Sequence, residues 1–223
     1  MSDRLFRWTH KKTRTGTFVG VVVERLKRGG MHAGLIYRTE TSRGAYVVHL
    51  WSHRKLYHDP PCPGQVCILS NIEAIRLPAV AALARRIYRK NSNDGIPYGF
   101  SSPDLKWFNA QGQVIVGGDQ LGLTCSHLVL AIFREAGFPL ARLDTWPKRP
   151  EDAEWQKDVL KFYKSRAGKN KRKLKRLGKV KTQIGTVRCR PIEVGGAALS
   201  DEIPCSFDVA TENAAQIEPL LIP

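Results

Sequence analysis

The chain is short of acidic residues, with 20 Asp and Glu against 36 Lys and Arg, and the formal net charge of +16 draws polyanions to its surface whatever the fold. It also lacks any long apolar run. Stretches such as Val21 to Val23 and Leu128 to Phe133 are too short to cross a bilayer. The N-terminal MSDRLFRWTHKKTRTG carries charge but no following apolar segment, so a secretory signal is not expected. There is no internal repeat. The five cysteines are irregularly spaced and odd in number, which argues against a disulfide framework and for a reduced, cytoplasmic setting.

What is present is globular: 223 residues, 42% hydrophobic and 25% charged, enough for one hydrophobic core and most economically one domain over residues 1–223. Residues 164–181 hold ten Lys or Arg and no acid, with Gly168, Asn170 and Gly178 interrupting any clean helical face. This basic insertion or loop is expected to be solvated or to contact a polyanion.

The first third reads as extended chain. Strands are expected at Thr17 to Val23, Met31 to Arg38, Ala45 to Trp51 and Gln65 to Leu69, each introduced by a glycine or proline turn, which suggests an early antiparallel sheet. Helical spacing follows at Pro78 to Lys90, Thr124 to Ala136 and Glu151 to Ser165. Thr186 to Arg190 reads as a final strand, Pro191 to Leu199 as a short helix, and 201–223, with three prolines, as irregular chain. Together these make an α+β protein.

Cys125 lies in the first turn of a helix capped by Thr124, where unpaired N–H groups and the helix dipole favour the thiolate. A thiol nucleophile needs a base and the base an orienting partner. Two histidines stand inside expected strands, His32 in Met31–Arg38 and His49 in Ala45–Trp51, where hairpin pairing would bring them together. Each histidine taken singly is as readily a satisfied core residue, and Cys125 a small hydrophobe sealing a helix end. His127, two positions beyond Cys125, faces the other side of the helix and is expected to bond backbone or pack.

The order His32, His49, Cys125, with Met31-His32-Ala33-Gly34-Leu35-Ile36-Tyr37 first and Thr124-Cys125-Ser126-His127-Leu128-Val129 later, resembles the circularly permuted papain-like cysteine hydrolases of the NlpC superfamily. That group includes bacterial permuted amidase-like and lecithin retinol acyltransferase-like proteins, and the likeness spans roughly residues 15 to 140. It implies an NlpC-like fold with the sheet packed against the nucleophile helix. It implies Cys125 as nucleophile, His32 as general base and later acid, and His49 as orienting residue, with Tyr98 as an oxyanion or substrate contact. The acyltransferase-like members carry Asn-Cys-Glu-His where this chain has Thr124-Cys125-Ser126-His127, which sits closer to the hydrolase branch. The expected activity is therefore cleavage of an amide, peptide or isopeptide bond through an acyl-enzyme, without a cofactor. Lipid ester hydrolysis or acyl transfer is the enzymatic alternative.

Two rivals accompany it. His53, His58, Cys62 and Cys67 offer zinc-ligand chemistry, though their spacing is not that of a compact knuckle and Pro60-Pro61 intervenes. A nucleic-acid-binding protein would use the basic segment with Arg4, Arg7, Lys11, Lys12 and Arg14, stacking bases on Trp8 and Tyr163.

Overall fold

In the computed structural model, which describes residues 3–9, 15–27, 29–116 and 121–221, an antiparallel sheet is covered by helices. Its strands are β1 (Leu5–Arg7), β2 (Phe18–Arg25), β3 (Met31–Arg38), β4 (Tyr46–Ser52), β5 (Lys55–Asp59) and β6 (Val66–Leu69). They lie in the order β1-β6-β2-β3-β4-β5, every neighbouring pair antiparallel. The helices are α1 (Leu77–Asn91), α2 (Cys125–Glu135), α3 (Pro150–Ala167), α4 (Lys171–Lys181), α5 (Pro191–Leu199) and α6 (Phe207–Ile217). The chain is thus α+β.

Alternation along the strands sorts the side chains onto two faces. Val19, Val21 and Val23 of β2, Ala33, Leu35 and Tyr37 of β3, and Val48 and Leu50 of β4 join the large core with α1, α2 and α5. Val22, Ile36 and Val47 point the other way, into a smaller cluster closed by Trp8, Phe18, Cys67 and Leu69. Because both faces are covered, β2 reads Phe-Val-Gly-Val-Val-Val rather than alternating with polar residues.

Helix α2 is buried from Cys125 through Phe133 on every side, so it is the central helix rather than one with a single apolar stripe. Thr124 caps it, its hydroxyl accepting from the His127 N–H at 3.1 Å, and Gly137 at φ +87° ends it with Phe138 N–H donating to Phe133 O.

Four expectations need correction. The basic segment is not a loop: Gly168 ends α3, Asn170 caps α4, and the run forms a helical hairpin. Residues 186–190 form no strand but a connector. The tail from Asp201 contains α6. Two strands, β1 and β5, went unforeseen. Lys11, Lys12 and Arg14 lie outside the described residues.

Candidate functional site

Cys125 sits where α2 begins, and its position is fixed by a narrow crossing of two chain segments. Tyr98 bridges Leu123 in parallel, with Leu123 N–H donating to Pro97 O at 3.0 Å and Gly99 N–H to Leu123 O at 3.3 Å. A Cβ on Gly122 would lie 2.5 Å from Gly99 N and from Tyr98 C, so only glycine lets the segments pass. Residues 98 and 125 are thereby held together.

The β3–β4 ladder runs from Tyr37↔Tyr46 to Leu35↔Val48, and just beyond its end the Ala33 N–H donates to the Cys125 sulfur. Burial pushes the Cys125 thiol up, while Ala33, Ser126 and the Arg188 guanidinium pull it down; burial wins and the thiol lies above its ordinary value. The expected lowering at the helix terminus is therefore outweighed at rest, because Cys125 is only 8% exposed.

What covers it comes largely from outside the sequence motifs. Tyr163 of α3 lies 5.7 Å from Tyr98, ring centre to ring centre. Both hydroxyls feel the Cys125 charge, and burial raises both above the usual phenol value. Arg188 stacks 3.6 Å from the Trp155 ring of α3. Its guanidinium bonds Asp152 at 3.1 Å, as Arg149 and Arg190 do at 2.6 and 3.0 Å. Arg149 also binds Glu193 of α5, so this buried network clasps the start of α3 to the body. Leu160, Ala167, Leu177 and Val180 of the hairpin pack with Phe100, and Tyr98 lies against this cluster.

The two strand histidines do meet. His32 Nε2 lies 2.8 Å from His49 Nδ1, and His49 Nε2 lies 3.6 Å from Asp59 Oδ2. With Asp59 taking the His49 Nε2 proton, His32 donates and His49 accepts, a chain His32 to His49 to Asp59. Burial pushes both imidazoles below their ordinary value, against Glu24 at His32 and Asp59 at His49. The expected contact of His32 with Cys125 is not made. His32 and His49 share strand parity with Ile36 and Val47, on the face turned away from α2, beside Trp51 at 5.0 Å from His32. Ala33 occupies the position facing the sulfur. Among the described residues no hydrogen bond joins Cys125 to either ring.

His127 is a backbone anchor: its Nδ1–H donates to Ser101 O at 2.9 Å and its Nε2 accepts from Cys189 N–H at 3.4 Å. Burial pushes it down to about 4. The four soft ligands disperse. His53 Nδ1 accepts from Tyr98 N–H at 3.2 Å, and His58 bonds the Tyr37 hydroxyl at 2.7 Å between the Tyr46 and Tyr88 rings. Cys62 is exposed and Cys67 buried, its thiol pushed up to about 12. Among the described residues no three His, Cys, Asp or Glu are grouped to hold a metal ion.

Comparisons with protein-family models, curated proteins and solved structures found no match. Sequence reasoning missed Ala33, Arg188 and the packing role of Tyr163. Only Asp59 had a legible signal, the alternation of Leu56, Tyr57 and His58 that marks β5.

Proposed function

We propose that the chain is a cysteine hydrolase of the permuted papain-like, NlpC-like type that cleaves an amide bond, peptide or isopeptide in character, through an acyl-enzyme on Cys125. One observation carries this reading. The first turn of α2, the Ala33 and Ser126 N–H groups and the Arg188 charge all converge on a single sulfur. Donors fixed in this way stabilise a thiolate and need no reorganisation when negative charge forms.

Burial keeps the thiol protonated at rest, so the sulfur must be uncovered before attack. The sulfur then adds to the carbonyl carbon, with the Cys125 N–H at the helix start and the Tyr98 hydroxyl receiving the oxyanion. As the C–N bond breaks, the leaving amine takes the Tyr98 proton, and the proton given up by the Cys125 thiol restores the phenol, which burial keeps protonated. Water cleaves the thioester, releasing the acid and restoring the thiol. His32 and His49, on the far face of β3 and β4, brace the strand start from which Ala33 donates; in this arrangement the base role given by the family resemblance does not fall to them.

Mass-spectrometric labelling with electrophilic acyl-peptide and phospholipid probes tests this. Cys125→Ser is expected to abolish labelling and Cys62→Ser to leave it intact. Undiminished turnover in Cys125→Ser would sink the mechanism. Tyr98→Phe is expected to slow turnover and His32→Ala to retain it, whereas loss in His32→Ala as complete as in Cys125→Ser would return the base role to histidine. Labelling by the phospholipid probe alone identifies the lipid-ester or acyltransferase form.

A second reading, a polyanion-binding protein, is favoured by α4, whose Lys171, Lys173, Lys175 and Lys181 are exposed while Arg176, Leu177 and Val180 pack inward. Nucleic-acid binding that fades with salt and is indifferent to Cys125→Ser, with no labelling at Cys125, would support it.

A further inference from the structure

Between the β4–β5 turn and the α3–α4 hairpin lies a cavity of about 530 Å³. Six cations line it: Arg54 and Lys55 from the turn, Arg166 from α3, and Arg172, Lys173 and Arg176 from the first turns of α4. No carboxylate lines it among the described residues. Arg54 is held at φ 60°, a left-handed conformation uncommon outside glycine, with its N–H bonded to Ile96 O at 3.0 Å. The turn is thereby fixed facing the hairpin.

The cavity also adjoins Cys125. His53 and Tyr163 form part of its wall. His53 accepts from Tyr98 N–H, Tyr163 stacks near Tyr98, and Arg176 donates to Tyr98 O. Tyr98 is the residue bridged to the strand entering α2. Tyr163 thus belongs both to the cavity wall and to the electrostatic surroundings of Cys125.

We infer that this cleft binds a phosphate-bearing group of the substrate and so places the bond to be cleaved at Cys125. Arginine forks and exposed lysines lining two facing walls match the several oxygens of a phosphate or diphosphate. Bound there, it bridges the turn and the hairpin that carries Tyr163. The link to cleavage rests on the hydrolase reading; the binding itself does not.

Titration calorimetry of the full-length Cys125→Ser chain with inorganic tripolyphosphate tests binding independently of catalysis. Saturable binding is expected, weakened by about tenfold or more in an Arg166→Ala, Arg172→Ala, Lys173→Ala variant and also in Lys55→Glu on the opposite wall. These side chains are exposed, so the fold is expected to persist. Flotation with phosphatidylcholine vesicles, with and without phosphatidic acid, locates the source of the phosphate. Binding to acid-containing vesicles alone assigns a lipid headgroup, and binding to tripolyphosphate assigns a soluble substrate. Binding to neither, or binding that both cleft variants leave unchanged, overturns the site. In the unmodified chain, saturation with the bound probe is expected to change the rate of Cys125 alkylation by iodoacetamide severalfold. An unchanged rate with binding intact would overturn the connection to the thiol while leaving the anion site standing.

Discussion

At the scale of single residues, environment decides what a histidine does. His127 stands two positions from Cys125 in sequence, yet its two nitrogens are consumed by Ser101 O and Cys189 N–H, so it staples two loops to α2 as a neutral ring. A ring held at about 4 when folded but near 6.5 when unfolded contributes stability that is present above the unfolded value and lost as pH falls toward the folded one. For His127 this is of order 3 kcal/mol, and the depressed His32 and His49 add to it in the same direction. The urea midpoint is therefore expected to fall steadily from pH 6.5 to about 4. In His127→Gln the drop should be shallower; an equal drop in both proteins would show that other groups set it. Residue identity made Cys125 and the histidine pair legible in the sequence. It did not reveal that Ala33, one position from His32, faces the sulfur, because one residue of strand register reverses the face and nothing local marks where the β3–β4 ladder stops.

At the scale of elements, punctuation proved harder to read than periodicity. Residues 191–199 were legible as a helix because Pro191 opens it and apolar residues fill it. In the basic run, Gly168 and Asn170 resembled breaks within one segment, but they are the end of α3 and the cap of α4. The prolines of the tail suggested irregular chain, although Phe207, Ala210, Ala214 and Ile217 carry the spacing that forms α6. The α5–α6 contact has its own test. A Cβ on Gly196 would stand 1.9 Å from Ala210 O, so Gly196→Ala must push the helices apart and is expected to cost about 2 kcal/mol or more. Gly178, inside α4, meets nothing within 4 Å, and Gly178→Ala is expected to stabilise by about 0.5–1 kcal/mol. Chemical denaturation of both variants checks the pair; equal effects would contradict this packing.

At the scale of the molecule, composition and element order were sufficient for an α+β protein with an antiparallel sheet, since strands came early and helices late. They were not sufficient to show how the charge is distributed. Part of the cationic excess lies in the buried cluster of Arg149, Arg188 and Arg190 around Asp152, and part lines the cleft beside Cys125. Asp152→Ala would leave three half-buried guanidinium groups without their shared buried carboxylate, a loss of about 3 kcal/mol. It is also expected to loosen α3 and expose Tyr163 and Cys125, read as faster alkylation of Cys125 under native conditions. Unchanged alkylation would show that the hairpin is held by its apolar contacts alone.

Strand β1 pairs with β6, and the Arg4 side chain just before it reaches Leu199 O at 2.9 Å, a partner 195 positions away along the chain. During synthesis, residues 4–7 therefore leave the ribosome well before the groups that fix them exist. β1 can cover the β6 edge as soon as both strands are out, but its Arg4 anchor waits for α5. A chain halted before residue 199 would hold that margin of the sheet by the β1–β6 pairing alone.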